Sequence, residues 1–338
     1  STYTAIDNVL LDVANDIATL IPNGCDVFRV RSPYEHAPAN IGSAVDLEIN
    51  RWSPSEGVRD LRRQLENPAG LVVVGATPEQ VYNLLTCDNG QAQAPWFDLV
   101  VIDEASQMDV AHAILPFSAV ASDGSIILAG DPLQLPPIQQ AEAPKDLEEL
   151  VGTVYSFWHD AHHVSQSALD INYRSNDTIV EFARYSGYQA ALSSSSPDLR
   201  LDLLTPLPGA QPADWPAALH WTPEWTLLLD PDQPTVCFVY DDGRSSQRND
   251  FEADAVAALL SLLSGRMANR LRNENDPVDR TPVAPGDTPY SPVEFWRDAV
   301  GVVTPHRAQQ ALIATRLQEV FGADAQFASI IRDAVDTV

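Results

Sequence analysis

The chain has 338 residues, 45% of them apolar, which suffices for two domains with ordinary buried cores. Its formal charge of −27 comes from 47 acidic residues against 20 basic ones, Lys145 being the only lysine, so its surface repels nucleic acid at low salt. Neither a bilayer span nor a signal peptide is expected: no run of eighteen apolar residues exists, and "STYTAIDNVLLDVAND" lacks a basic start and a cleavage site, which points to a cytoplasmic protein.

Cys25, Cys87 and Cys237 have no CxxC spacing, which argues against a disulfide framework or a zinc site and for small buried residues in a reducing compartment. Two accounts of the acidity stand side by side. One is a saline cytoplasm, where a Debye length of ~3 Å at about 1 M salt screens self-repulsion. The other is a solvated acidic surface in an arginine-preferring genome.

Four short apolar runs end abruptly in polar or glycine residues. In chain order they are "GLVVVGATPE" (70–79), "FDLVVIDEAS" (97–106), "SIILAGDPLQ" (125–134) and "AVGVVTPHRAQ" (299–309). Near-continuous β-branched runs predict strands buried on both faces, hence a parallel α/β sheet. Helical spacing follows the first in "PEQVYNLL", the second in "MDVAHAILPFSAVA" and the last in "RAQQALIATRLQEVF".

Between the third and fourth runs, "NYRSNDTIVEFARYSGYQAAL" reads as a turn and a helix. A Pro- and Trp-rich insert, about 193–234, is too rich in breakers for regular structure. "TVCFVYDD" then reads as a strand, and "DFEADAVAALLSLLSG" as a helix whose first-turn carboxylates suit its dipole. A second polar loop covers 273–292.

In open α/β sheets ligands bind beyond the carboxyl ends of the strands, where GAT, DEAS, GDPLQ and TPHRAQ all fall. Asp103 and Glu104 are adjacent carboxylates at such an end, and like charges side by side need a cation or a proton donor to balance them. Taken alone, the pair could be ordinary helix-start residues. "GDPLQLPP" (130–137) changes this, because its glycine permits close backbone approach and its prolines fix the exit, placing Asp131 and Gln134 beside the same strand ends.

With these residues the chain resembles the superfamily 1 helicases, in the branch that includes RNA-decay and replication-associated helicases. "VVIDEAS" looks like motif II of that family, "GDPLQLPP" motif III, "LDINYRSN" motif IV, and "VGVVTPHRAQ" the strand and helix start before motif V. "TYTAIDNVL" and "VVVGATPEQVY" are similar to motifs Ia and Ic.

The resemblance implies an α/β fold of two RecA-like parallel-sheet P-loop domains, 1–160 and 161–338, with ATP bridging them. It implies that Asp103 holds Mg²⁺, that Glu104 orients and deprotonates the attacking water, and that Gln134 senses the γ-phosphate. Gly130, Asp131, Gln134 and Arg174 would bind nucleotide. Arg174, the arginine finger by resemblance, carries the fixed charge and planar fork suited to phosphoryl oxygens; without the motif it would read as a surface salt bridge. Thr77, Thr304, His306 and Arg307, with Thr4 and Asn8, would hold the backbone of single-stranded DNA or RNA, by contacts that position a strand without reading its bases. Each could equally serve as a helix cap or turn residue. Movement would be 5′-to-3′.

Two clusters read as structural. "HDAHH" (159–163) lacks further ligands for a metal and reads as an exposed helical cluster, and Trp215, Trp221 and Trp225 read as packing the insert against its domain rather than stacking bases.

Such an ATPase needs a GxxxxGK[ST] phosphate loop, which the chain does not contain, and Lys145 in "EAPKDLEEL" is no substitute. The first domain is thus expected to lack its Walker A strand and loop, and the second to break off at motif V. The expectation is an internal part of a longer helicase, inactive by itself for want of the Walker A lysine. The competing reading is a non-catalytic nucleic-acid-binding or scaffold module derived from a helicase.

Overall fold

The computed structural model describes residues 3–20, 24–35, 41–87, 95–136, 145, 147–197, 203–241, 247–268, 288–322 and 324–337. It is a mixed α/β structure with small parallel sheets, divided into two units, Ser1–Ala168 and Leu169–Val338.

In the first unit, helix α1 (Tyr3–Leu20) leads into strand β1 (Cys25–Arg31), which pairs in parallel with β2 (Val45–Glu48) and β3 (Leu71–Ala76). Helix α2 (Glu56–Glu66) starts on Ser55, whose hydroxyl accepts from the Val58 N–H. Its Val58, Leu61 and Leu65 recur at helical spacing and close a core against Phe28, Val30 and Ile49.

The alternation of β1 turns Arg29 to the opposite face, where it is only 1% exposed. There it donates to Asp7 of α1 at 3.0 Å and Asp46 of β2 at 3.1 Å and lies 5.0 Å from the centre of the Tyr3 ring. A buried guanidinium is tolerable because both carboxylates surround it.

Helix α3 (Pro78–Thr86) follows β3 and packs on α4 (Val110–Phe117). Strand β4 (Phe97–Ile102) runs parallel to β5 (Val120–Leu128), in register from Leu99 opposite Ser125 to Ile102 opposite Leu128. Ile102, Ala105, Met108, Ala113 and Val154 form the core beneath this pair. The unit ends with the short helices α5 (Glu148–Val151) and α6 (Val154–Ser156), the latter running into a π-helical turn, Phe157–Ala161.

The parallel pairing agrees with the sequence expectation, but burial on both faces does not. Leu99 and Val101 are 51% and 57% exposed, while Ile102 is buried. Among the described residues β4 and β5 make a two-stranded ladder with its core on one face, so alternate side chains remain in solvent.

The second unit opens with β6 (Ile171–Asn172) parallel to β7 (Ser193–Ser194), separated in sequence by α7 (Asp177–Tyr185). After the short α8 (Glu224–Leu227) comes α9 (Asp250–Leu263), capped by Asn249 and carrying Asp250 and Glu252 in its first turn. Helix α10 (Pro292–Glu294) runs into a π-helical turn, Phe295–Ala299. Strand β8 (Val302–Thr304) leads into α11 (Arg307–Phe321), which stops at Gly322 in the left-handed conformation at φ 63°. Helix α12 (Ala325–Asp333) and β9 (Val335–Thr337), parallel to β8, complete the unit.

Trp215, Leu219 and Trp225 from the insert are buried in one core with Ala253 and Ala257 of α9 and Leu312 and Leu317 of α11. Trp221 lies against that core, edge-to-face with Trp215 at 4.9 Å. These tryptophans pack, as the sequence suggested.

The strand expected over "TVCFVYDD" does not form. Among the described residues no ladder partner flanks it, and Phe238 and Tyr240 instead dock their rings on Phe251 at 6.2 and 4.7 Å. Of the cysteines, Cys87 is buried, Cys25 half-buried and Cys237 exposed, so the expectation of burial holds for Cys87 alone. Most of the 273–292 loop lies outside the described residues. No described helix is long and apolar enough to cross a membrane.

Candidate nucleotide site

Because β4 and β5 are parallel and level at Ile102 and Leu128, the chain leaves both strands at the same edge of the ladder. Two hydrogen bonds carry the ladder past the strands: the Ala129 N–H donates to the Ile102 carbonyl and the Ala105 N–H to the Ala129 carbonyl, both at 2.8 Å. The two loops are therefore tied to each other at their first residues.

Gly130 lies at the tightest point. A Cβ there would stand 2.8 Å from the Ser106 nitrogen and 3.1 Å from the Ala105 nitrogen, so only glycine lets the loops approach this closely. The Asp131 N–H then donates to the Ser106 hydroxyl at 3.1 Å, locking the second loop to the first. The Asp131 carboxylate accepts from the Leu133 N–H at 3.0 Å, and its carbonyl from the Gln134 N–H at 3.1 Å. This turn swings Gln134 back toward the first loop.

In the first loop Asp103 is exposed, and its Oδ1 accepts the Glu104 N–H at 3.0 Å. Glu104 adopts φ 55°, a left-handed conformation that a side chain rarely takes, which lets Ala105 turn directly into the core. The Gln107 side chain completes the arrangement. Its Nε2 donates to Glu104 Oε2 at 3.3 Å and to Gln134 Oε1 at 2.9 Å, so one amide joins the two loops.

Asp103, Glu104, Gly130, Asp131 and Gln134 thus come together, as their positions at strand ends suggested. Gln107 is the residue that sequence reasoning missed. Its only signal was its place three residues after Glu104, which in a turn puts the two side chains on one side.

Just beyond, the Asp109 carboxylate caps α4, accepting the His112 N–H at 2.8 Å and meeting the His112 ring nitrogen Nδ1 at 2.7 Å. Burial by itself would raise the Asp109 pKa, but these bonds outweigh it and hold the group below its ordinary value. Nearby, the Tyr155 hydroxyl is pushed up, first by burial and then by the carboxylates of Asp160 and Asp131, and it pairs with Gln166.

Two histidines of "HDAHH" pack on aromatic rings. His159 stacks on Tyr155 with ring centres 5.4 Å apart, and His162 lies 4.5 Å from the Phe157 ring. Among the described residues no three His, Cys, Asp or Glu side chains gather as a metal cage. Of the expected exposed helical cluster, 159–161 belong to the π-helical turn, while His162 and His163 follow it and are exposed.

The remaining candidates fall elsewhere on the molecule. Thr77 stands at the start of α3 and is buried, with no capping hydrogen bond from its hydroxyl. Asn8 is exposed on α1; Thr4 lies on the same helix, with its side chain outside the described residues.

In the second unit, Asn172 Oδ1 accepts from both the Arg174 and Ser175 N–H groups at 2.8 Å, which fixes the turn that bears Arg174. Arg174 is exposed and makes no ion pair among the described residues. Thr304 ends β8 and is 5% exposed, whereas His306 and Arg307 are exposed at the start of α11. The cap position belongs to His306, not to Thr304.

Gln309 is buried. Its Oε1 accepts the Asn249 N–H at 2.6 Å and its Nε2 donates to the Asn249 carbonyl at 2.9 Å, pinning the start of α11 to the start of α9.

Two family models, both described as AAA domain, match residues 83–142 and 153–338. An uncharacterized ATP-dependent helicase of Methanocaldococcus jannaschii is 32% identical over 108 residues, 32% of this chain and 15% of the relative. The 3′-5′ exoribonuclease HELZ2 of Mus musculus is 32% identical over 107 residues, 30% of this chain and 4% of the relative. The chain therefore spans a small part of the length of these curated relatives. With one match extending over 153–338, more than half of the chain, and the paired loops of β4 and β5 arranged as above, the chain belongs to the AAA domain family, with the RecA-like P-loop fold, as a member of its superfamily 1 helicase branch.

Proposed function

We propose that this helicase-family NTPase module takes part in hydrolysing ATP and moving along single-stranded DNA or RNA in the 5′-to-3′ direction. The observation that carries the reading is the meeting of Asp103, Glu104 and Gln134 at the ends of two adjacent parallel strands, joined through Gln107.

The donor set fits Mg²⁺ held together with phosphate. Asp103 offers one exposed carboxylate and, among the described residues, no all-protein cage surrounds it, which matches an ion that keeps water and takes one or two carboxylates plus phosphate oxygens. When bound, the ion would neutralise phosphate charge.

Glu104, with Oε2 engaged by Gln107, would orient a water and accept its proton. Gln134 would donate its amide to the terminal phosphate. Arg174 would supply positive charge to the phosphoryl oxygens, a role that rests on its motif and its exposed guanidinium. We further take residues 1–160 and 161–338 as the two RecA-like domains. His306, Arg307 and Asn8, being exposed, would hold the strand backbone, with Thr4, Thr77 and Thr304 in supporting positions at the same motifs.

The test is phosphate release by the intact protein with Mg-ATP and an oligonucleotide. Glu104→Gln is expected to stop turnover while nucleotide still binds. A Glu104→Gln protein that turns over at the unaltered rate overturns the reading, and strand binding with no hydrolysis by the unaltered protein supports the scaffold alternative.

A further inference from the structure

The Gln107 side chain does more than join two loops, because the polarity of its amide is dictated by what it faces. An ionised carboxylate can only accept, so the end of Gln107 that meets Glu104 Oε2 at 3.3 Å has to be the NH₂ group. That same nitrogen stands 2.9 Å from Gln134. An NH₂ group can only donate, so the end of Gln134 that meets it has to be the carbonyl oxygen. The Gln134 NH₂, on the other arm of a planar amide, is thereby turned away from Gln107. Three side chains form a directional chain in which the charge of Glu104 decides which end of Gln134 is presented.

The backbone makes the chain rigid at both ends. Glu104 and Gln107 share a turn closed by the Gln107 N–H on the Glu104 carbonyl at 2.9 Å. Gln134 is held by its own turn on Asp131, which is tied in turn to Ser106. Reversing the Gln134 amide would set two NH₂ groups against each other and lose the bond to Gln107.

We propose that Gln107 is a positioning residue that locks the Gln134 amide with its NH₂ outward, ready for an anionic oxygen, and that preference for a nucleoside triphosphate over a diphosphate depends on this lock. The inference rests on the nucleotide-site reading above and extends it to a residue that need not touch the nucleotide. With Gln107 removed, the Gln134 amide presents either end, and the terminal phosphate meets a carbonyl oxygen part of the time.

The experiment is equilibrium binding of Mg-ATPγS and Mg-ADP to the intact protein, without turnover. Gln107 is exposed and its side chain makes these two bonds, so Gln107→Leu keeps its volume and leaves the core untouched. Gln107→Leu is expected to weaken Mg-ATPγS about twofold, the cost of a Gln134 amide that presents its NH₂ only about half the time, and to leave Mg-ADP unchanged. Gln107→Glu, which cannot donate and repels Glu104, is expected to weaken Mg-ATPγS further. In a Gln134→Ala background Gln107→Leu is expected to add nothing, since its effect passes through Gln134.

Equal weakening of both nucleotides, or full additivity with Gln134→Ala, overturns the proposal, because either marks a merely structural role. Tight triphosphate binding that Gln107→Leu does not alter overturns this inference and leaves the nucleotide-site reading standing. Failure of the unaltered protein to bind Mg-ATPγS overturns both.

Discussion

Replacing Glu104 by glycine and, separately, by alanine isolates the cost of the left-handed backbone at the end of β4. Both variants lose the same carboxylate and the same bond to Gln107, so those losses cancel in the comparison. What differs is the Cβ at φ 55°. A left-handed conformation costs a side-chain-bearing residue about 1–2 kcal/mol, and glycine returns about 0.4–1 kcal/mol of this through the greater freedom of its unfolded chain. Glu104→Gly is therefore expected to be more stable than Glu104→Ala by about 1 kcal/mol.

The right reporter is local, because two units need not unfold together. Amide exchange at Ala105, whose N–H bonds to the Ala129 carbonyl, reads the opening of this loop directly. Exchange there is expected to be about fivefold slower in Glu104→Gly than in Glu104→Ala. Equal rates, or slower exchange in the alanine variant, would show that the loop relaxes around the Cβ and that no strain is stored at Glu104.

Gly130→Ala tests a different constraint, since Gly130 is short of space rather than bound to a left-handed φ: the new Cβ, 2.8 Å from the Ser106 nitrogen, is expected to cost about 1–3 kcal/mol in urea unfolding and to speed amide exchange at Asp131. Asp109→Asn addresses pH. The folded Asp109 pKa lies below its ordinary value of 3.8, so its charge stabilises the fold above that pH, and the contribution disappears as pH falls through the lower folded value. The variant, which keeps an oxygen to cap α4, is expected to lose less stability than the unaltered protein when the urea midpoint is compared between pH 5 and pH 2.5.

The strand ends were legible because β-branched runs stopped at glycine or polar residues: β3, β4 and β8 lie inside the quoted runs, and α11 spans the same residues as "RAQQALIATRLQEVF". The meeting of Asp103, Glu104 and Gln134 followed from two parallel strands being level. Elsewhere long-range partners decided. Helix α4 stops at Phe117, short of the helical pattern, because the Ala119 carbonyl accepts from the Trp96 and Phe97 N–H groups and Val120 is drawn into β5. "TVCFVYDD" had the composition of a strand, but its aromatic rings found Phe251. The left-handed Glu104 and the amide chain through Gln107 belong to the folded loops and have no periodicity to betray them.

Trp215 shares a core with Val335, so the earliest and latest buried residues of that core are separated by roughly 120 residues of chain. Such a core cannot close while the polypeptide is still being made, since the insert emerges long before α11 and α12. The tryptophans must wait, exposed, for their partners. Refolding of this unit should accordingly be slow for its size and prone to association on the way, and the surplus negative charge, which keeps neighbouring chains apart, guards that interval.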